Sequence, residues 1–305
     1  MKNSLTSFMF SLLMAAGCYA QEHSCEKADH SVLNFYRQYS PFTDPGEYAY
    51  VYANLPDSLP ALCSLIKSQF IHPYEELNAY RELIPRERWN EMYRYPSVKS
   101  ILEGLVLYDS SGLTRERKPQ DRLVLGCQQN AILLASILKY RGIPARVRCG
   151  HVTYLIPDFH TSHTICEVWN ETESRWMLVD PSTDRIDFSP EEFDFSYDAW
   201  LHMQNGDIDP TQYGIPRRYS GFVSIVGKVH IDLASILGTE YPINHYAPML
   251  EYAFENEDRL TAAHIKILNT TCELMKSLDA DNLSELQEIY SGTPEIQITK
   301  SFESR

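Results

Sequence analysis

The chain has little positive charge: 27 Lys and Arg stand against 41 Asp and Glu over 305 residues, a formal net charge of −14. Phosphate backbones and anionic bilayers are held by clustered Lys and Arg, which argues against nucleic acid or an acidic membrane surface as partner. The same acid excess leaves a mild preference against acidic substrates. Past residue 20 no apolar run approaches the ~20 residues that span a bilayer. Glycine is sparse, at 13 residues, and no Pro- or Gly-rich linker cuts the chain. Internal repeats and low-complexity tracts are absent. No loop carries Asp and Asn at calcium-ligand spacing. His151, His160, His163, Cys149 and Cys166 match no common structural zinc spacing, and no cofactor is expected.

Composition is that of an ordinary globular enzyme, 44% hydrophobic and 22% charged, with length enough for a large core. The N-terminus departs from this. Lys2 precedes an apolar stretch from Leu5 to Ala16, too short to span, and Cys18-Tyr19-Ala20 before Gln21 offers a small-x-small cleavage site. Residues 1–20 are therefore expected to be a signal peptide, and the rest secreted or periplasmic. The rival is a lipoprotein anchored through Cys18 after Ala15-Ala16-Gly17; Ala15 stands where such signals usually carry Leu, which favours simple secretion. Cys25, Cys63, Cys127, Cys149, Cys166 and Cys272 then remain. If Cys127 is a free thiol the other five cannot all pair, and Cys149 with Cys166 can be a disulfide or two buried thiols.

Chemistry concentrates in the middle of the chain. From Cys127 to Arg141 there is no Gly or Pro, and apolar residues cover most of the circumference, so a buried helix of about four turns is expected. Gly142 ends it and Pro144 prevents continuation. Cys127 falls at the helix N-terminus, where unpaired N–H groups and the helix dipole favour a thiolate and can receive an oxyanion. Ala145 to Tyr154, His163 to Trp169 and Arg175 to Asp180 read as strands. A four-residue loop, Asn170 to Glu173, would place Trp169 opposite Ser174 and, counting back, His163 opposite Asp180. The carboxylate would then orient the imidazole, whose other nitrogen faces Cys127. Arg141, Arg146 and Arg148 read as a solvated face beside this group.

These residues, Gly126-Cys127-Gln128-Gln129-Asn130-Ala131, His163-Thr164-Ile165-Cys166-Glu167-Val168-Trp169 and Trp176-Met177-Leu178-Val179-Asp180-Pro181, resemble the core of the transglutaminase-like superfamily, a branch of the papain-like thiol enzymes. The core match covers about 126–181, and a broader resemblance to bacterial transglutaminase-like proteins covers about 44–246. It implies an α+β fold with a catalytic helix packed on an antiparallel sheet. Within one transglutaminase-like domain, 21–300, that core (120–190) would carry helical N- and C-terminal extensions. It further implies Cys127 as nucleophile, His163 as general base and acid, and Asp180 as the residue orienting His163. Thr164 stands where many relatives place Trp. Asp121 occupies the position six before the cysteine that is often Gln, leaving Gln120 and Gln128 as alternatives and the side-chain oxyanion donor unassigned. The expected activity is hydrolysis of an amide or peptide bond in a peptide or protein substrate through a thioester, or transamidation. The alternatives are an inactive binding module of the same fold and a redox or structural protein with Cys127 in a disulfide.

Elsewhere, helices are expected at Asp29–Tyr39, Ser58–His72, Ile84–Tyr95 and Ser97–Val106, then at Tyr197–Asn205, Lys228–Leu237, Leu250–Ile267, Thr271–Leu278 and Asp281–Tyr290. The polar stretch Asp109–Pro119 is expected as a loop lining the site.

Overall fold

The structure is a computed structural model that describes residues 29–110, 112–113, 117–255 and 260–302. The expected leader, Cys18 and Cys25 lie outside these residues, as does part of the 109–119 loop. Asp29 accepts the Ser31 N–H at 2.8 Å and so starts α1 (His30–Arg37). Helix α2 (Leu59–Lys67) has Pro60 in its first turn and stops at Lys67 instead of reaching His72. The chain straightens there into β1 (Phe70–Ile71), which pairs in parallel with β2 (Leu123–Val124). The Leu125 N–H extends that pairing, donating to the Ile71 carbonyl at 3.1 Å.

The expected helix over Ile84–Tyr95 does not form. After α3 (Leu77–Tyr80), Pro85 is extended (φ −56, ψ 147) and only single 3₁₀ turns follow at Arg86–Arg88 and Glu91–Tyr93. Glu91 is fully buried, holds Arg88 Nε at 2.6 Å and accepts the Val124 N–H at 2.9 Å. Tertiary pairing to β2 thus overrides the helical propensity of this charged stretch. Helix α4 (Val98–Tyr108) follows, capped by Ser97.

Helix α5 (Cys127–Tyr140) ends one residue short of the expected Arg141, with Gly142 at φ 73 as its left-handed terminator. Then come β3 (Ala145–Ile156), β4 (Phe159–Asn170), β5 (Arg175–Asp180), β6 (Arg185–Ile186) and β7 (Phe193–Phe195). They form an antiparallel sheet in the order β6–β5–β4–β3–β7. Helix α6 (Ser196–Asn205) leads to β8 (Tyr213–Ile215), which runs parallel to the start of β4, and to β9 (Tyr219–Ser220). Helix α7 (Phe222–Ile236) starts a turn and a half before the expected Lys228. Strand β10 (His245–Tyr246) pairs with the last strand, β11 (Lys300–Ser301). The expected helix over Leu250–Ile267 is two helices, α8 (Met249–Glu255) and α9 (Ala262–Met275), and α10 (Ala280–Gly292) completes the tail.

The sheet is the middle layer of this α+β architecture. In the β3–β4 ladder Val147 is opposite Cys166, while Arg148 is opposite Ile165. Val147, Cys166, Val168 and Val179 join the core built on α2, α4 and α5; Val152, Ile165, Leu178 and Phe193 join the core built on α6, α7 and α9. Alternation along each strand therefore serves two helical layers. Ile132, Leu133, Leu134 and Ile137 are essentially buried, and roughly 1.5–3 kcal/mol apiece fixes the helix that carries Cys127. Among the described residues no helix is long and apolar enough to cross a membrane.

The expected solvated face at Arg146 and Arg148 is a buried ionic network instead. The two are 5% and 1% exposed. Glu167 on β4 accepts from Arg146 Nε at 2.5 Å and Arg148 Nη1 at 2.7 Å. Asp232 on α7 takes Arg148 through both oxygens, at 3.1 and 3.0 Å. The alternation that made them look exposed is real, but the far face of the sheet is covered by α7.

Candidate functional site

Cys127 is the first residue of α5, and Gly126 before it is extended (φ −95, ψ −172). Gln129 holds this start in place: its Oε1 accepts the Gly126 N–H at 3.2 Å and its Nε2 donates to the Met92 carbonyl at 3.2 Å. The thiol sits where α5 presents its unpaired N–H groups. Cys127 is only 9% exposed, so a reagent or substrate must approach through a narrow opening.

His163 lies on β4 and Asp180 ends β5, yet they are not directly opposed. The ladder pairs Trp169 with Trp176 and Asn170 with Arg175, so the register differs by two residues from the expected one. The loop is Glu171–Ser174 rather than Asn170–Glu173. Asn170 accepts the N–H groups of Thr172 and Glu173 through its side chain, at 3.0 and 3.2 Å, and Ser174 takes φ 50. That Asx-type turn draws Asn170 into the strand end and moves the loop one residue along. A shift of two preserves the face, and His163 Nε2 meets Asp180 Oδ2 diagonally at 2.8 Å.

Asp180 is fully buried and accepts five hydrogen bonds. Besides His163, the donors are Tyr154 OH (2.8 Å), Thr183 Oγ1 (2.7 Å), Ser182 N (2.9 Å) and Ser182 Oγ (2.6 Å). Burial pushes the carboxyl up, but the His163 charge and hydrogen bond, with the Ser182 and Thr183 hydroxyls, outweigh it and hold Asp180 well below the carboxylate range. Burial and the neighbouring carboxylate push the Tyr154 phenol up, so it stays a donor. With Nε2 committed to Asp180, the Nδ1 side of His163 is left for the thiol.

Burial likewise pushes the Cys127 thiol up. The charge and hydrogen bond of His163, then those of His72, more than reverse this and hold the thiol well below its ordinary value. His163 is pushed down by burial and raised further, well above its ordinary value, by Asp180 and Cys127. The arrangement favours a thiolate beside an imidazolium. The remaining buried thiols go the other way: burial pushes Cys63 up to about 12 and Cys149 up to about 11.

His72 is a member that sequence reading missed. It follows β1, and the parallel β1–β2 pair sets it beside the Gly126–Cys127 turn; its Nε2 lies 3.7 Å from where a Gly126 Cβ would stand. Its signal in sequence is nil, because the two-residue strand that precedes it reads as the end of α2. Neither glutamine considered as oxyanion donor reaches this place. Gln120 is exposed on a 3₁₀ turn. The Gln128 amide nitrogen donates to the Tyr241 carbonyl, pinning the segment after α7.

Among the described residues no three His, Cys, Asp or Glu side chains converge to hold a metal ion. Cys149 and Cys166 are both free and buried, as are Cys63, Cys127 and Cys272. Cys149 lies 3.7 Å from Thr164 Oγ1 and Cys166 donates to the Ala131 carbonyl at 3.1 Å. A cavity of about 480 Å³ at the far end of α5, walled by Arg37, Arg141 and Trp169, is remote from Cys127. Another of about 460 Å³ is walled by Tyr74, Tyr93 and Ser162, and its Tyr74 ring lies 5.9 Å from the ring of His72.

No family model matches the chain, and no curated protein does. Its structure is similar to a solved one described as "a Putative Cysteine Protease from Cytophaga hutchinsonii", with 16% identity, a TM-score of 0.20, and coverage of 44% of this chain and 48% of that one. The likeness spans less than half of either chain, at a TM-score too low to carry an argument. What the site can do rests on its own geometry.

Proposed function

We propose that this protein is a thiol acyl-transfer enzyme of transglutaminase-like, papain-related type, acting outside the cytoplasm and hydrolysing an amide or peptide bond. The observation that carries the reading is the relay from Asp180 through His163 to a thiol held well below its ordinary value. In this reading Cys127 is the nucleophile, His163 the general base and acid, and Asp180 the residue that orients His163.

His163 takes the Cys127 proton. The thiolate then attacks the carbonyl carbon, forming a C–S bond and an oxyanion. In this reading the Cys127 N–H at the start of α5 and the nearby His72 Nε2 receive that charge. Collapse breaks the C–N bond, and His163 passes its proton to the leaving amine. Water, deprotonated by His163, attacks the thioester, the C–S bond breaks, and the acid product leaves with the thiol restored. A primary amine in place of water would give transamidation; water is the more abundant acceptor.

The test is turnover of quenched-fluorescence peptides, and of casein with a dansylated amine, by the parent and by Cys127→Ala. Parent turnover that falls at least about 10³-fold in the variant is expected. Parent turnover that survives in Cys127→Ala would overturn the assignment of the nucleophile.

A further inference from the structure

The cavity whose wall residue Tyr74 stands 5.9 Å from the His72 ring is basic in a chain of net charge −14. Lys228, on the α7 face, reaches its wall although the residue is only 6% exposed. Among the described residues its ammonium has neither a hydrogen-bond partner nor a carboxylate within ion-pair reach. The other buried cations are partnered: Arg88, Arg146 and Arg148 have carboxylates at 2.6, 2.5 and 2.7 Å, Arg117 Nε donates to Gln69 Oε1 at 2.6 Å, and Lys139 donates to the Gln38 carbonyl at 2.7 Å. Next to Lys228, His230 is 1% exposed, and neither ring nitrogen has a partner. At the mouth the Arg218 guanidinium lies 4.4 Å over the Tyr74 ring. None of the described residues lining the cavity is acidic.

A buried cation without a counter-ion is destabilising, and native folds almost always supply a partner. Here the partner position opens onto empty volume of ligand size rather than onto protein. Its aromatic walls, Tyr74 and Tyr93, suit the apolar stem of a side chain, as in most small-ligand sites. We propose that this cavity takes a carboxylate of the substrate, with Lys228 as its counter-ion. His230 supplies a further N–H, and Arg218 draws the anion in at the mouth. The inference rests on the reading of Cys127 as the acylated thiol, and it names the substrate class as an acidic peptide. The local charge thereby reverses the preference expected from the net charge.

The probes are acetyl-Glu-amide, acetyl-Gln-amide and acetyl-Gln with a free terminal carboxylate, titrated calorimetrically into the full chain carrying Cys127→Ala. One acid is expected to bind at least tenfold more tightly than acetyl-Gln-amide. Which one does so separates a side-chain acid from a chain terminus. Adding Lys228→Met should abolish the difference, and the exposed Arg218→Gln, which leaves the core untouched, should weaken the acid about two- to fivefold by reducing the local field. Equal binding of all three probes, or an acid preference that survives Lys228→Met, would overturn the proposal. If Lys228→Met does not fold, an unchanged acid preference in Arg218→Gln overturns it equally. The nucleophile reading fails separately: acid-selective binding with an unreactive Cys127 leaves the cavity assignment standing and removes the enzyme.

Discussion

Replacing Asp232 by Ala should bring the protein close to unfolding. The carboxylate is fully buried and accepts four hydrogen bonds: Arg148 Nε and Nη2 at 3.1 and 3.0 Å, the Cys149 N–H at 2.7 Å and Ser196 Oγ at 2.7 Å. Without it, Arg146 and Arg148 share the single charge of Glu167, leaving one net positive charge inside the sheet–α7 interface. An uncompensated buried ion costs about 3–5 kcal/mol, and the orphaned Cys149 N–H about 1–3 kcal/mol more. The terms overlap, so a loss of about 4–6 kcal/mol is expected, against a total of about 5–15 kcal/mol for a typical fold. Urea unfolding followed by far-UV circular dichroism would read it as a fall in midpoint at constant slope. Asp187→Ala serves as control: its partner Arg175 is 45% exposed, so the loss there should stay below about 1 kcal/mol. Combining Arg148→Met with Asp232→Leu should recover more than half of the loss, because both desolvated charges go together. A loss under about 1 kcal/mol for Asp232→Ala would refute the reasoning, since it would mean that Arg148 is not confined in a dry interior.

Gly150 faces His163 across the β3–β4 ladder, and a Cβ there would lie 2.3 Å from the Asp194 carbonyl oxygen. Gly150→Ala should therefore force β7 off β3 and cost about 1–3 kcal/mol by the same urea assay. His230 is held down at about 3 by burial, whereas unfolding returns it to about 6.5. The unfolded chain then binds the extra proton, so stability falls as pH drops below about 6.5. Over two pH units this amounts to about 2–3 kcal/mol, and the decline between pH 6.5 and 4.5 should flatten in His230→Phe. Glu167 is pushed up by burial and, against it, pulled down to about 2 by Arg146 and Arg148. Its contribution is complete above about 4.5 and is lost as pH falls toward 2, so a second, steeper loss should appear there in urea midpoints. His72→Ala should lower turnover of any cleaved peptide about 10²–10³-fold if its Nε2 receives the oxyanion, with KM little changed; an unchanged kcat would remove it from that role.

The helix that carries Cys127 was legible because its limits are local. The run from Cys127 has no Gly or Pro, and Gly142 with Pro144 closes it, so only Arg141 falls outside the observed Cys127–Tyr140. The pairing of His163 with Asp180 was legible as to face but not as to register. Period-two alternation fixes the face, whereas the register follows from the Asn170 side chain capturing the turn, a choice that loop length alone does not make. Arg146 and Arg148 alternate with apolar residues like an exposed face, and only tertiary docking turns them inward: Tyr36 of α1 and Trp176 cover Arg146, and Asp232 of α7 takes Arg148. His72 could not be found, since a parallel pair of two-residue strands brings it to Cys127 from far upstream. The five buried free thiols likewise answer a question that cysteine counting left open.

The central claim is an activated Cys127, and the most direct measurement is its rate of alkylation by iodoacetamide against pH, localised by mass spectrometry, in the parent, His163→Ala and Asp180→Asn. The account predicts fast labelling of Cys127 that persists well below its free value of ~8.5 and is weakened by both substitutions. Cys63 and Cys149, pushed up to about 12 and about 11, should stay unlabelled in the folded protein. Slow labelling of Cys127 with ordinary thiol pH dependence in all three proteins would contradict the account and leave a binding module in place of an enzyme.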